Sequence, residues 1–183
     1  MNKILTGAVA GAAGIALLLG GAGTFALWNS STTVNVGSVA SGTLSIASLG
    51  SPSWKNISGD AGVGGVAIPS ITSYKIVPGD KLELTQTVTV NATGDNLKAT
   101  LFLDDASIKG SLKPLVFVGM NATGGSSVSE IRTTDTFAVT PSASATTVTI
   151  TVTVDFPSDT QIGQAGSLDL STLAFKLEQN PRL

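Results

Sequence analysis

Strict alternation of apolar and polar residues is the clearest pattern in the chain. Between residues 146 and 156, valine, isoleucine and phenylalanine occupy every second position, and threonine occupies most of the positions between them. Residues 81–90 repeat the pattern, with leucine and valine alternating with a glutamate and three threonines. A period of two in β-branched residues is typical of a strand that buries one face. Both segments are therefore predicted to be strands with a polar, threonine-rich outer face.

Weaker patterns predict six further strands, separated by glycine and proline turns such as Pro78-Gly79-Asp80. These strands are predicted at residues 39–47, 66–71, 97–103, 115–120, 137–140 and 173–178. No segment after residue 26 has a helical stripe, apart from a short turn near residues 104–109. Many short strands of this kind predict an all-β fold, a jelly-roll-like antiparallel β-sandwich that follows an N-terminal helical signal peptide.

Residues 50–65, GSPSWKNISGDAGVGG, break the alternation and are predicted to be a flexible insertion. Glycine and serine dominate this stretch, and both favour loops. It carries Trp54, for which two interpretations stand. In the simpler one, Trp54 covers the core from a loop; in the other, it is an exposed contact for a neighbouring molecule.

Residues 1–26 are predicted to be a secretory signal peptide. Lys3 is their only charged side chain, and a strongly apolar block is followed by small residues. Thr24 and Ala26 supply the small-x-Ala step that precedes a signal-peptidase cut, so cleavage is placed between Ala26 and Leu27. The alternative is a retained anchor, because the apolar run is long enough to span a bilayer. The absence of Lys or Arg just beyond the run favours cleavage.

Composition limits what the mature chain can do. Removing 26 of the 183 residues leaves 157, which suits a single domain at residues 27–183. The full chain has a net charge of −2 and no basic cluster, so nucleic acid is not an expected partner. It contains no cysteine and no histidine, which excludes disulfides, catalytic triads with histidine and histidine-based zinc sites. The chain is therefore predicted not to be an enzyme, and a hydrolase using two facing carboxylates is the weaker alternative.

No cofactor is expected, and calcium is the one ion considered. Carboxylate oxygens near turns are suitable calcium ligands. The aspartates near predicted turns are Asp60, Asp80, Asp95, Asp155 and Asp159. None of these stretches has the ligand spacing of a calcium loop, so calcium binding is a minor alternative.

Cleavage would expose residues 27–36, LWNSSTTVNV, as a new N-terminal segment. The segment is uncharged, and its apolar residues lie at its two ends: Leu27, Trp28, Val34 and Val36. Ordering its backbone costs roughly 10–20 kcal/mol, whereas burying the four side chains returns about 6–12. It therefore needs backbone hydrogen-bond partners, either as the first strand of its own domain or as a strand donated to another copy.

The N-terminal region resembles proteins of the TasA and camelysin family, which Gram-positive bacteria export. The matching features are the leader end GTFA at residues 23–26, the aromatic Trp28, the ASGTL sequence at residues 40–44 and VPGD at residues 77–80. The resemblance implies a jelly-roll domain whose leader is cut by a dedicated SipW-type signal peptidase. It also implies extracellular fibres of the biofilm matrix, in which each subunit gives its N-terminal strand to the next. The chain is similar to short exported proteins of high-GC Gram-positive bacteria.

Together these observations predict a secreted structural subunit of the cell surface or biofilm matrix. Its expected partners are the signal peptidase and further copies of itself, joined by head-to-tail strand addition. Contact with the membrane is expected only through the uncleaved leader. The alternative is a monomeric secreted or surface-held binding module with the same fold.

Overall fold

A computed structural model of the protein describes residues 38–131 and 135–181. The predicted signal peptide, the cleavage residues Thr24, Ala26 and Leu27, and the assembly residues Trp28, Val34 and Val36 lie outside the described residues. The described residues from Ala40 onwards belong to one compact unit.

The described residues form β-strands joined by turns and three short 3-10 helices. The strands are β1 (Leu44–Asn56), β2 (Val66–Ile68), β3 (Lys81–Ala92), β4 (Ala99–Leu103), β5 (Phe117–Thr123), β6 (Val128–Glu130), β7 (Thr136–Val139), β8 (Thr146–Asp155) and β9 (Phe175–Gln179). The 3-10 helices span Ile71–Ser73, Asp105–Ser107 and Lys113–Leu115.

Two antiparallel sheets make up the sandwich. One has the strand order β2-β1-β3-β8-β5, and the other has the order β6-β7-β4-β9. β3 pairs with β8 in the first sheet and β4 pairs with β7 in the second. The chain changes sheet between β3 and β4, β4 and β5, β5 and β6, β7 and β8, and β8 and β9. The predicted all-β sandwich is confirmed.

The core lies where the two alternating strands face the second sheet. The side chains of Val148, Ile150, Val152 and Val154 on β8 are completely buried, as their spacing predicted. They pack in two adjoining clusters, of which the larger also contains Phe137 from the opposite sheet. The threonines between them face outwards, so the period of two correctly separated the two faces of the sheet.

The prediction of a flexible insertion at residues 50–65 is wrong in its first half. Strand β1 continues to Asn56, and its pairing with β3 skips from Leu49 opposite Thr87 to Ser53 opposite Thr85. The extra residues form a bulge that accommodates Pro52, which cannot donate a ladder hydrogen bond. Gln86 faces inwards beside the bulge and donates to the carbonyl oxygens of Leu49 (3.4 Å) and Gly50 (3.3 Å).

Trp54 lies in β1, not in a loop. It is opposite Ile68 of β2 and Leu84 of β3, and its half-buried side chain packs against both core clusters. The interpretation of Trp54 as a cover for the core is therefore correct in its contacts and wrong about the element that carries it. Strand β6 was not predicted; its three residues contain one apolar side chain, that of Val128.

Candidate assembly site

Two threonines hold the start of β1 against the end of β3. The backbone N–H of Thr43 donates to Thr93 Oγ1 (2.8 Å), and the N–H of Thr93 donates to the carbonyl oxygen of Thr43 (2.8 Å). Thr93 follows the last residue of β3, and residues 38–43 are all exposed. The chain before Thr43 therefore enters at the end of the sandwich where β3 finishes.

The first half of β1 is an open sheet edge. Antiparallel pairs alternate in their hydrogen bonding, so the Thr43–Thr93 bond directs the backbone groups of Leu44, Ile46 and Ser48 away from β3. The neighbouring strand β2 covers only Trp54 to Asn56. Within residues 38–131 and 135–181, no strand pairs with this half of the edge.

Strands β5 and β9 form two further edges. On β9, the N–H of Asn180 donates to Lys98 and that of Asp104 donates to Ala174, so the backbone groups of Phe175 and Leu177 face away from β4. Edges of this kind present a row of unpaired N–H and C=O groups to any additional strand.

A groove of about 800 Å³ opens at the opposite end of the sandwich from Thr43. Its floor contains Leu82, Leu112 and Phe156, which are 3%, 3% and 2% exposed. Its walls come from residues 71–78 on one side and residues 160–170 on the other. The site is therefore a cleft with an apolar floor between two loop segments.

Both walls carry backbone N–H groups that make no hydrogen bond with the described residues. Tyr74 is extended (φ −71°, ψ 135°), and after it the N–H groups of Lys75 and Ile76 make no hydrogen bond in the described part of the chain. On the opposite wall, Thr160 N–H bonds to Pro157 and Gly166 N–H bonds to Gly163. The N–H groups of residues 161–165 between them have no partner among the described residues.

A second groove of about 620 Å³ adjoins the first and shares Tyr74 with it. The Tyr74 hydroxyl accepts a hydrogen bond from Asn56 Nδ2 (3.0 Å) and donates a long one to Asp80 Oδ2 (3.5 Å). Burial raises the pKa of Tyr74 above its ordinary value, and the negative charge of Asp80 raises it further. Asp60 and Asn56 also line this groove.

Because Tyr74 is the only tyrosine in the chain, its ionisation can be followed by ultraviolet absorbance. We expect the folded protein to titrate above the ordinary tyrosine pKa of about 10. Tyr74 favours its neutral form when folded, so its contribution to stability is complete below that value and is lost as pH rises through the raised pKa. Asp80→Asn should move the midpoint downwards while Asp95→Asn leaves it unchanged. An unshifted midpoint in the parent protein would contradict the buried environment.

Three aspartates form ion pairs with lysines, and one of them, Asp155, was considered as a calcium ligand. Asp104 pairs with Lys176 (3.1 Å), Asp105 pairs with Lys113 (2.7 Å), and Asp155 pairs with Lys81 (3.2 Å). Within the described ranges, no group of three or more acidic side chains is placed to hold a metal ion. These three carboxylates therefore link strands and loops through ion pairs with lysines.

Comparison of the chain with protein-family models, with curated proteins and with solved structures gave no match. Among residues 38–131 and 135–181, no helix has the length and apolar character needed to cross a bilayer. The function is argued below from the residues of this chain.

Proposed function

We propose that the protein is a secreted structural subunit of the cell surface or biofilm matrix that assembles through residues 27–36. The observation that carries the proposal is that backbone groups lack partners among the described residues, both on the edges of β1, β5 and β9 and on the walls of the larger groove, so that they can accept an additional strand. An extended segment that joins such an edge gains main-chain hydrogen bonds, and side-chain pockets determine its register. In this role the protein resembles the TasA and camelysin family.

Export explains when assembly would begin. A SipW-type signal peptidase that cuts after Ala26 releases Leu27 and Trp28 from the membrane, and the strand-forming segment becomes available only outside the cell. A surface with only 12% charged residues repels other copies weakly, so contacts between copies meet little electrostatic resistance. The proposed role requires neither a cofactor nor a catalytic residue.

Deleting residues 27–36 from the mature chain is expected to abolish filaments and leave a folded monomer. Electron microscopy gives the filament content, and size-exclusion chromatography with circular dichroism gives the oligomeric state and the fold. The matched control replaces residues 27–36 with a glycine-serine segment of equal length, which keeps the chain length and removes the strand formers. This control should behave as the deletion does.

Two outcomes would contradict the proposal. If the deletion unfolds the protein, residues 27–36 are the first strand of their own domain. If the full mature chain stays monomeric at high concentration, the protein is not an assembly subunit. An intact Met1 in the secreted protein, detected by mass spectrometry, would overturn the cleavage after Ala26.

The second candidate is a monomeric secreted or surface-held binding module. The groove that contains Tyr74, Asn56 and Asp60 favours this alternative, because it combines an aromatic face with several hydrogen-bonding groups. Persistent monomers together with a ligand that shifts the Tyr74 titration would support it.

A further inference from the structure

We infer that the groove between residues 71–78 and residues 160–170 is the acceptor for residues 27–36 of a second copy. The inference rests on the proposed function and specifies the surface that the donated segment occupies. Leu82, Leu112 and Phe156 form the floor of this acceptor.

The position of the groove gives the contact a direction. Thr43, just before β1, lies beside Thr93, where β3 ends, whereas the groove lies beside Leu82, where β3 begins. Leu82 and Ala92 are ten positions apart on β3, which is roughly 33 Å at the rise of an extended strand. A contact that joins opposite ends of identical subunits is heterologous and extends into a filament.

The chemistry of the groove matches the chemistry of the segment. Residues 27–36 are uncharged and begin with Leu27 and Trp28, and the groove floor is apolar. A tryptophan in a desolvated pocket is a frequent anchor of protein interfaces. The middle of the segment is polar, so it needs backbone partners more than it needs apolar contacts.

The groove supplies backbone partners from two sides. On one wall, the N–H groups of Lys75 and Ile76 make no hydrogen bond with the described residues. On the other wall, the N–H groups of residues 161–165 make none either. The edges of β1, β5 and β9 offer partners on one side only. A strand in the groove therefore gains main-chain hydrogen bonds together with a side-chain pocket, which is the combination that gives both affinity and register.

The chain between the segment and the sandwich is long enough to connect two copies. Residues 37–42 separate the segment from Thr43 and span at most about 25 Å when extended. These residues include two glycines and no proline, so they can adapt to the geometry between neighbouring subunits.

Cysteine cross-linking between two separately prepared copies tests the acceptor directly, since the chain has no cysteine of its own. One mature copy carries Asn29→Cys or Ser30→Cys, which lie on the two faces of an extended segment. The second copy carries Gln161→Cys in the groove wall. Matched controls carry Ser48→Cys on the β1 edge or Thr123→Cys on the β5 edge, and all three acceptor positions are exposed. A disulfide forms only where the Cα atoms come within about 4.4–6.8 Å.

We expect a disulfide-linked dimer with Gln161→Cys at least tenfold more abundant than with either control. Stronger cross-linking to Ser48→Cys or Thr123→Cys overturns the groove and leaves strand donation intact. A chain that carries both Asn29→Cys and Gln161→Cys and cross-links only within itself on dilution also overturns the inference, since the acceptor is then its own copy.

A substitution in the groove provides a second measurement. Ile162 is 66% exposed on the groove wall, so Ile162→Glu should leave the fold intact and reduce filament mass at least tenfold. The control is Val63→Glu, another exposed apolar residue, which lies outside the groove lining. If Ile162→Glu forms filaments normally while deletion of residues 27–36 abolishes them, the groove is not the acceptor and the proposed function still stands. Filaments that persist after that deletion would reject the proposed function.

Discussion

Phe137→Ala is expected to lower the free energy of unfolding by about 3–5 kcal/mol. Phe137 on β7 is 1% exposed and belongs to the larger core cluster between the two sheets. Truncation removes its apolar contacts and leaves a cavity that rigid neighbouring strands cannot close. Urea denaturation followed by circular dichroism measures the loss.

Phe117→Ala is the matched control because it makes the same chemical change on β5, where Phe117 is 72% exposed. Its expected cost is within about 0.5 kcal/mol of zero. Equal losses at the two positions would show that Phe137 is not part of a packed core. The comparison therefore tests the placement of β7 over the first sheet.

Gly110→Ala is expected to cost about 3 kcal/mol and to disturb the groove. Gly110 has a φ of +110°, and an added Cβ would lie 2.1 Å from the carbonyl oxygen of Ser167. The close approach of Gly110 to Ser167 and the hydrogen bond from Leu112 N–H to the carbonyl oxygen of Ser167 (3.0 Å) hold residues 160–170 against the sandwich. Denaturation gives the stability change, and the yield of the cross-link to Gln161→Cys gives the effect on the groove.

Gly64→Ala separates the cost of backbone strain at a positive φ from the cost of the clash between an added Cβ and its neighbours. Gly64 also has a positive φ, +87°, but its added Cβ would have no neighbour within 4 Å. It should therefore cost only the backbone strain, about 1–2 kcal/mol. If Gly110→Ala costs no more than Gly64→Ala, the backbone of Ser167 can move away and the wall of the groove is not held at Gly110.

Local pattern was sufficient for the two central strands of the first sheet. In β3 and β8 the apolar residues recur at every second position, and the structure buries them on one face as predicted. Their direct pairing was not predicted, because the period identifies a buried face and says nothing about which strand lies beside it. That pairing depends on contacts between residues more than 50 positions apart.

Local pattern failed where a strand breaks its own period. The bulge of β1 contains Gly50 and Pro52, which favour loops, and only pairing with β3 on both sides of the bulge keeps the segment in the sheet. Gln86 interrupts the apolar face of β3 because it lies beside this bulge and hydrogen-bonds to it. Its amide donates to the carbonyl oxygen of Thr87 on its own strand (2.6 Å) and also to the carbonyl oxygens of Leu49 and Gly50 on β1, and the sequence around Gln86 does not predict the contacts with β1.

One part of the candidate assembly site was predicted from the sequence and the other part was not. The uncharged, strand-forming character of residues 27–36 follows from the sequence, and these residues lie outside the described part of the chain. The groove proposed to accept them was not predicted. Its floor combines Leu82, Leu112 and Phe156, and its walls come from two loop segments that show no periodicity.

The sequence by itself determined the class of fold, because alternation between buried and exposed residues is a local consequence of strand geometry. It also determined that the described fold holds together without disulfides, since the chain has no cysteine. Only the tertiary structure decided which edges stay open and that the groove lies at the end opposite Thr43. Those features arise from the order of strands in the sheets, and that order is set by packing between distant residues.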